Sequence, residues 1–356
     1  MTWHGIEGHD DVVEKLRRAI TRNRLASSFL FCGPAGVGKR TFALRFAQAL
    51  LCSSRPAADL DPCNTCPSCA MALAGTHPDI EVIAKPADKA ELPLKLFIGE
   101  GETRGHEGLC HWISLKPFMG GRRIAIIDDA DYFNSEGANC LLKTLEEPPP
   151  HSVLILISTS PSRQLPTIRS RCQLLRFLPL PEETVAQLLV SKGLVTDKAE
   201  AARLARFSEG SLQEAIDLSD ADVWSCRRTL LEKLSAGVLD STGLAPIIST
   251  FIEEAGKEAS ARRARFRRVV AFAADFYRRL LHARSDLPLP SDPELRGPLE
   301  AAVQRFPGDA IVAAACLERC LDALGQIDRN ANQATLIEAW LDDLGAEGEG
   351  WGEGIR

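Results

Sequence analysis

Gly33-Pro34-Ala35-Gly36-Val37-Gly38-Lys39 decides how the whole chain is read. The apolar run at 29–32 before it is strand-like, and Phe42, Phe46, Ala47, Leu50 and Leu51 after it share one face of a helix. A glycine-rich turn between a strand and a helix is suited to holding phosphate. Its glycines let backbone N–H groups turn inward, the helix start adds positive potential, and Lys39 reaches the β and γ oxygens. The next residue is ordinarily Ser or Thr, whose hydroxyl holds Mg²⁺. Here it is Arg40, with Thr41 one residue late and turned by about 100° around the helix. The loop therefore predicts a site for ATP at Gly33, Gly36, Gly38, Lys39, Arg40 and Thr41 that is poorly equipped for Mg²⁺-dependent hydrolysis.

A second strand, at 124–128, runs into Asp128-Asp129-Ala130-Asp131. Asp128 suits a carboxylate that holds Mg²⁺ at the carboxyl edge of a parallel sheet. Asp129 stands where an acid would polarise water, with a shorter reach than glutamate. Asp131 reads as a solvated acid closing the strand. The helix that follows, with Ala138, Leu141, Leu142 and Leu145 on its apolar face, is stopped by Pro148-Pro149-Pro150.

Working outward, strands are expected at 29–32, 80–83, 124–128, 153–157 and 173–177, alternating with amphipathic helices. That alternation predicts an α/β fold, a parallel sheet with helices on both faces, over residues 1–178. Continuous apolar strands fit burial on both sides. Residues 85–110, rich in charge and glycine, read as a loop and a weak helix. Pro179 and Pro181 mark a boundary, three short helices fill 179–221, and 222–344 is helical throughout, broken by the proline-rich stretch 288–298. The tail, 345–356, holds five glycines and three glutamates and is expected to be disordered.

Composition narrows the function. A net charge of −6 argues against a chain that grips DNA by itself through phosphate neutralisation, so DNA contact is expected to be local or shared with partners. No export signal is evident, and the longest apolar runs are too short to span a bilayer, which predicts a cytoplasmic protein without membrane contact. In a reducing compartment eleven cysteines bind metal or sit buried. Cys63-x2-Cys66-x2-Cys69, with Cys52 upstream, has the spacing of a structural Zn²⁺ knuckle with four thiolate ligands. The other cysteines read as small core residues.

Together these stretches resemble the clamp-loader AAA+ proteins of bacterial replication and, within them, the delta-prime type of DNA polymerase III subunit. The resemblance also rests on Gly137-Ala138-Asn139-Cys140-Leu141-Leu142-Lys143-Thr144-Leu145-Glu146-Glu147-Pro148, on Leu165-Pro166-Thr167-Ile168-Arg169-Ser170-Arg171-Cys172 and on Gly210-Ser211-Leu212, which follow in family order over residues 1–220. It implies an AAA+ P-loop module at 1–178 with a zinc module inserted at 52–69, a helical lid at 179–221 and an all-α collar at 222–344. The collar would join motor and delta-type subunits in a ring that loads a sliding clamp on primed DNA. By the same resemblance, Arg171 would reach in trans to nucleotide on a neighbouring subunit, where a permanently charged guanidinium stabilises a transferring phosphoryl group. The plainer reading of Arg171 is a surface ion pair. Ser158 and Thr159 fall where relatives sense γ-phosphate, and Thr159 is taken for that role. Motor subunits carry an arginine just after Gly-Ser-Leu; this chain has Gln213. Arg40 and Gln213 thus both point to a subunit that does not hydrolyse ATP alone. The alternatives are an ATP-hydrolysing motor of the same ring, a small-molecule kinase and a zinc-dependent DNA-binding module. The basic stretch at 262–279 reads as a solvated helix face before a DNA track.

Overall fold

The structure is a computed structural model that describes residues 3–349 except 87, 286, 290–292, 307–308 and 330. Contacts divide the chain into two compact units, meeting between Ser219 and Asp220. The first unit holds the sheet: β1 (Ser28–Cys32), β2 (Ile80–Ile83), β3 (Arg123–Ile127), β4 (Ser152–Ser158) and β5 (Gln173–Arg176). All pairings are parallel and the order is β2-β3-β4-β1-β5. Ser28 pairs with Leu154 and Ile124 with Val153, so β4 lies between β1 and β3.

Side chains alternate between two cores along the central strands, as the pleat requires. Phe29, Phe31, Ile124, Ile126, Val153 and Ile155 face one side. There they meet Val12 and Leu16 of α1 (Asp10–Thr21) and Phe42 and Phe46 of α2 (Lys39–Leu51). Leu30, Ala125, Ile127, Leu154 and Leu156 face the other side, where they join Leu141 and Leu145 of α6 (Ser135–Glu146) and Ile168 of α7 (Pro166–Arg169). Because β1, β3 and β4 are buried on both faces, their sequences are continuous apolar runs rather than alternating ones. Between α2 and β2, α3 (Pro67–Ala74) carries Cys69 of the clustered cysteines and is capped by Cys66.

Residues 85–110 contribute more than a loop. Leu92, Phe97 of α4 (Lys95–Ile98), and Leu109 and Ile113 of α5 (Leu109–Ser114) all lie in the second core. The elements are only a turn or so long, which hides them from periodicity. The lid is α8 (Glu182–Ser191), α9 (Lys198–Phe207) and α10 (Leu212–Asp217), and it belongs to the first compact unit, so no break in contacts falls at 178. Ser211 caps α10 by accepting from Glu214 N.

The second unit is helical: α11 (Ala221–Leu234), α12 (Ser241–Glu253), α13 (Ala259–Arg284), α14 (Pro293–Arg305), α15 (Ala310–Asp328) and α16 (Gln333–Glu349). Phe266, Val269, Val270, Ala273, Phe276 and Leu280 of α13 are buried, and so are Leu336, Ile337, Trp340, Leu341 and Leu344 of α16. These stripes form the unit's own core. The α13 arginines are tied locally: Arg265 to Asp220, Arg267 to Asp328, Arg278 and Arg279 to Asp275. Two expectations are corrected. The stretch 288–298 is not a break throughout, because α14 starts at Pro293, where a missing N–H costs nothing, and carries Pro298 within it. α16 runs to Glu349, beyond the expected start of the tail at 345, as a continuation of the helix whose buried stripe reaches Leu344. Residues 350–356 lie outside the described residues.

Candidate functional site

The phosphate loop leaves β1 and enters α2 through Gly36 and Gly38, with φ of +74° and +96°. Gly33 is required for closeness: a Cβ there would meet the Phe177 carbonyl oxygen at 2.2 Å. A Cβ on Gly36 would lie 2.1 Å from Ser211 Oγ, so the lid rests directly on the loop. His9, at the start of α1, braces the loop from below. It is buried, its Nε2 donates to Val37 O at 2.8 Å, and its ring packs edge-on to Phe42 and Phe177. Burial lowers its pKa, while the bond to Val37 opposes that shift.

Loop, strand ends and lid enclose a cavity of about 400 Å³. It is bordered by Gly36, Gly38, Lys39, Arg40, Thr41, Asp128, Asp129, Asp131, Ser158, Thr159 and Gln213, among others. The predicted nucleotide residues thus converge, except Gly33, which serves the backbone turn. Thr41, although rotated from the Arg40 position, still borders the cavity. Lys39 is buried and donates to Gly33 O and Pro34 O, both at 2.6 Å. Burial lowers its pKa, while Asp131 and Asp128 oppose that shift.

Arg40 NH1 lies 3.1 Å from Asp128 Oδ2. The residue that replaces the metal-holding hydroxyl is therefore paired with the carboxylate that would hold the metal. Asp129 sits beside them in left-handed backbone, with φ of +58°, and its carboxyl is pushed up by burial and by Asp128. Asp131 was read as a solvated acid, and this is corrected. Its Oδ1 accepts from Ser158 Oγ, and its Oδ2 accepts from Thr159 N at 2.8 Å and Thr159 Oγ1 at 2.6 Å. Buried Gln164 donates to Ala130 O and fixes the turn. Asp131 thereby anchors the end of β4 and holds Thr159 at the cavity. His9 and Gln164 were missed in the sequence, which carries no signal for either beyond a polar residue beside an element end. Gln213 borders the cavity and donates to Asp217.

Arg171 lies elsewhere. It follows α7, is exposed, and is not among the residues bordering the cavity. Its NH2 lies 2.6 Å from Glu146 Oε1 at the end of α6, and its NH1 donates to Thr167 O.

The four predicted thiols do meet: the Sγ atoms of Cys52, Cys63, Cys66 and Cys69 all lie within 4.8 Å of one another, and Cys63 and Cys69 approach to 3.9 Å. A tetrahedron of sulfurs about 2.3 Å from a central ion has edges near 3.8 Å, so the set fits a bound metal ion. Cys66 N–H points at Cys63 Sγ and Cys69 N–H at Cys66 Sγ, which stabilises thiolates. Hydrogen bonds from Thr65 and Cys66 bring Cys63 down to about 5. Burial opposes ionisation of Cys66, but bonds from Ser53 and Cys69 bring it to about 7, while burial pushes Cys69 up to about 12.

A buried polar chain ties this centre to the sheet. Ser68 Oγ donates to Leu51 O and meets His77 Nε2, and His77 Nδ1 accepts from Asp79 N. The imidazole is therefore the Nε2-protonated tautomer. Asp79, fully buried, accepts from Phe118 N at 2.6 Å and Met119 N at 2.8 Å, and Arg123 stands 3.8 Å away.

A phosphate loop after β1, acids after β3, an anchored hydroxyl residue after the intervening β4, and a helical lid define a P-loop nucleotide-binding module of the AAA+ kind. The chain is 35% identical over 231 residues to DNA polymerase III subunit delta' of Pseudomonas aeruginosa, covering 65% of this chain and 67% of that protein. It belongs to the DNA polymerase III delta' family. A family model described as DNA polymerase III, delta subunit, matches residues 8–181. DNA polymerase III subunit gamma/tau of Mycobacterium tuberculosis is 32% identical over 219 residues, 60% of this chain but only 36% of that protein. Among solved structures, a DNA polymerase III gamma subunit-related protein from Thermotoga maritima aligns with a TM-score of 0.40 at 16% identity, over 95% of this chain and 99% of that one.

Proposed function

We propose that the chain is a non-motor subunit of a loader that sets a sliding clamp on primed DNA, in a ring with motor and delta-type subunits of DNA polymerase III. The Arg40–Asp128 ion pair carries this reading. A motor needs that acid free for Mg²⁺ and a hydroxyl beside the loop lysine, and this site offers neither. Gln213 in place of a lid arginine points the same way.

Arg171 is the arginine finger for a neighbouring subunit's nucleotide. Its exposure, its absence from its own cavity and its place beyond α7 support that role. The bond to Glu146 does not oppose it, because an exposed ion pair is worth about 0–1 kcal/mol and yields to a phosphate. Thr159, held by Asp131, is the residue positioned to face a γ-phosphate. The ion held by the four cysteines is Zn²⁺, and with four protein ligands its role is structural. The setting is the cytoplasm, where such thiols stay reduced. DNA is met through the complex, in keeping with the net charge of −6 and the locally paired α13 arginines.

The test is enzymatic. The isolated chain should hydrolyse ATP negligibly. A complex rebuilt with Arg171→Ala should assemble normally, lose a modest share of its DNA-stimulated ATPase and lose more of its clamp loading. Motor-like turnover by the isolated chain would make it an ATP-hydrolysing gamma/tau-type subunit instead. Normal loading by the Arg171→Ala complex would remove the finger.

A further inference from the structure

Mg²⁺ at a phosphate loop leans on two protein oxygens, a hydroxyl after the lysine and a free carboxylate opposite. Here Arg40 fills the first position and is bonded to the second. A dication drawn to Asp128 would have to displace the guanidinium and then sit beside a like charge. The residues present therefore do not fit the metal. They do fit its charge. The Arg40 side chain is 56% exposed and borders the cavity, while the Asp128 side chain is 16% exposed and fixes one edge of the guanidinium. A guanidinium has five N–H donors, so most remain for an oxyanion after one meets Asp128.

The rest of the cavity agrees. Glycines at positive φ shape the loop, and the first N–H groups of α2 have no acceptor within the helix. Both oxygens of Asp131 are engaged by Ser158 and Thr159, which turns that acid away from a metal-binding role. A volume of about 400 Å³ is of the size that takes a small ligand.

We infer that this cavity takes a nucleoside polyphosphate without Mg²⁺, with the Arg40 guanidinium, braced by Asp128, as the built-in cation on the phosphates. This deepens the reading of the cavity as a nucleotide site and rests on it. Mg²⁺ brings two charges and Arg40 brings one, so the site favours a diphosphate over a triphosphate. The guanidinium is planar and permanently charged, which suits a phosphate fork. It cannot supply the metal's Lewis acidity, so binding is separated from turnover. The nucleotide becomes a fixed part joining the phosphate loop to the lid.

The test titrates fluorescent ADP and ATP analogues into the full chain in buffer with Mg²⁺ and in Mg²⁺-free buffer. No strong chelator is used, so that the cysteine centre stays untouched. The wild-type chain should bind equally in both buffers and prefer the diphosphate. Arg40→Ser should weaken Mg²⁺-free binding by about tenfold or more, the worth of a charge-assisted hydrogen bond, and should make binding respond to Mg²⁺. Asp128→Asn loosens the brace but leaves the cation, so it should weaken Mg²⁺-free binding less than Arg40→Ser does; a metal-dependent site would lose binding outright with that change. Melting curves check that each variant is folded, and Arg40→Lys, which keeps the charge without the fork, should fall between. A wild-type chain that binds only with Mg²⁺ overturns the inference. So does a silent wild type beside an Arg40→Ser that binds with Mg²⁺, although the cavity then remains a nucleotide site. No binding by any variant in either buffer removes the nucleotide reading as well.

Discussion

Gly36→Ala should unsettle the lid without touching any lid residue. Two costs follow. The residue sits at φ +74°, where a side chain adds about 1 kcal/mol. Its new Cβ would lie 2.1 Å from Ser211 Oγ and 2.7 Å from Gln213 Cβ, closer than atoms can approach. Ser211 must rotate or α10 must lift. Either breaks the cap from Ser211 Oγ to Glu214 N, worth about 1 kcal/mol. The sum is about 2 kcal/mol. For a unit of this size, 1 kcal/mol moves the melting temperature by about 2–4 °C, so the first unit should melt about 4–8 °C lower. Scanning calorimetry on the full chain reads this directly. Ser211→Ala removes the nearest clashing atom, so it should cost less beside Gly36→Ala than alone. An unchanged melting temperature, or strict additivity of the two substitutions, would refute the contact between loop and lid.

Metal analysis of the purified chain should find about one zinc, and Cys66→Ser should lose it together with the local fold; a zinc-free, well-folded wild type removes the assignment. His9 and His77 have pKa values lowered from 6.5 by burial, so below about 6.5 the unfolded chain takes up protons that the folded chain refuses. Urea midpoints should therefore fall from about pH 7.5 to about 5.5, and His9→Gln should flatten the slope; an identical slope in the variant shows that His9 does not contribute. Asp79→Ala strips the acceptor from Phe118 N and Met119 N and leaves Arg123 without its nearest carboxylate. It should cost about 3 kcal/mol by chemical denaturation, and a loss under about 1 kcal/mol would mean that water replaces the carboxylate.

The strands were legible because burial on both faces leaves a continuous apolar run; every expected strand lies within one residue of the observed one at each end. The phosphate loop, Asp128, Gln213 and the four cysteines were legible because each pairs a residue type with a spacing. What stayed hidden depends on distance in sequence. Nothing near Arg40 on α2 tells that its partner is Asp128 just past the end of β3, and nothing near Asp131 tells that it serves Ser158 and Thr159. His9 reaches Val37 only because α1 crosses beneath the loop. Residues 85–110 hid Leu92, outside any helix or strand, and Phe97, in a four-residue helix too short for a period to show, among glycines and charges. Pro298 was misread because proline is a strong breaker in isolation and a tolerated one within an otherwise helical segment.

The strand order also bears on how the chain acquires its site in time. β1 is made early, yet its neighbours are β4 and β5, so the phosphate loop must wait for Leu154 and Gln173 before its strand is flanked. The acids after β3 likewise reach the loop only through β4. Such distant parallel pairings close long loops and form slowly. A nascent chain that has passed Lys39 but not β4 therefore carries the whole phosphate-binding sequence and no site, and the lid that finishes the cavity is the last piece of the first unit to be synthesised.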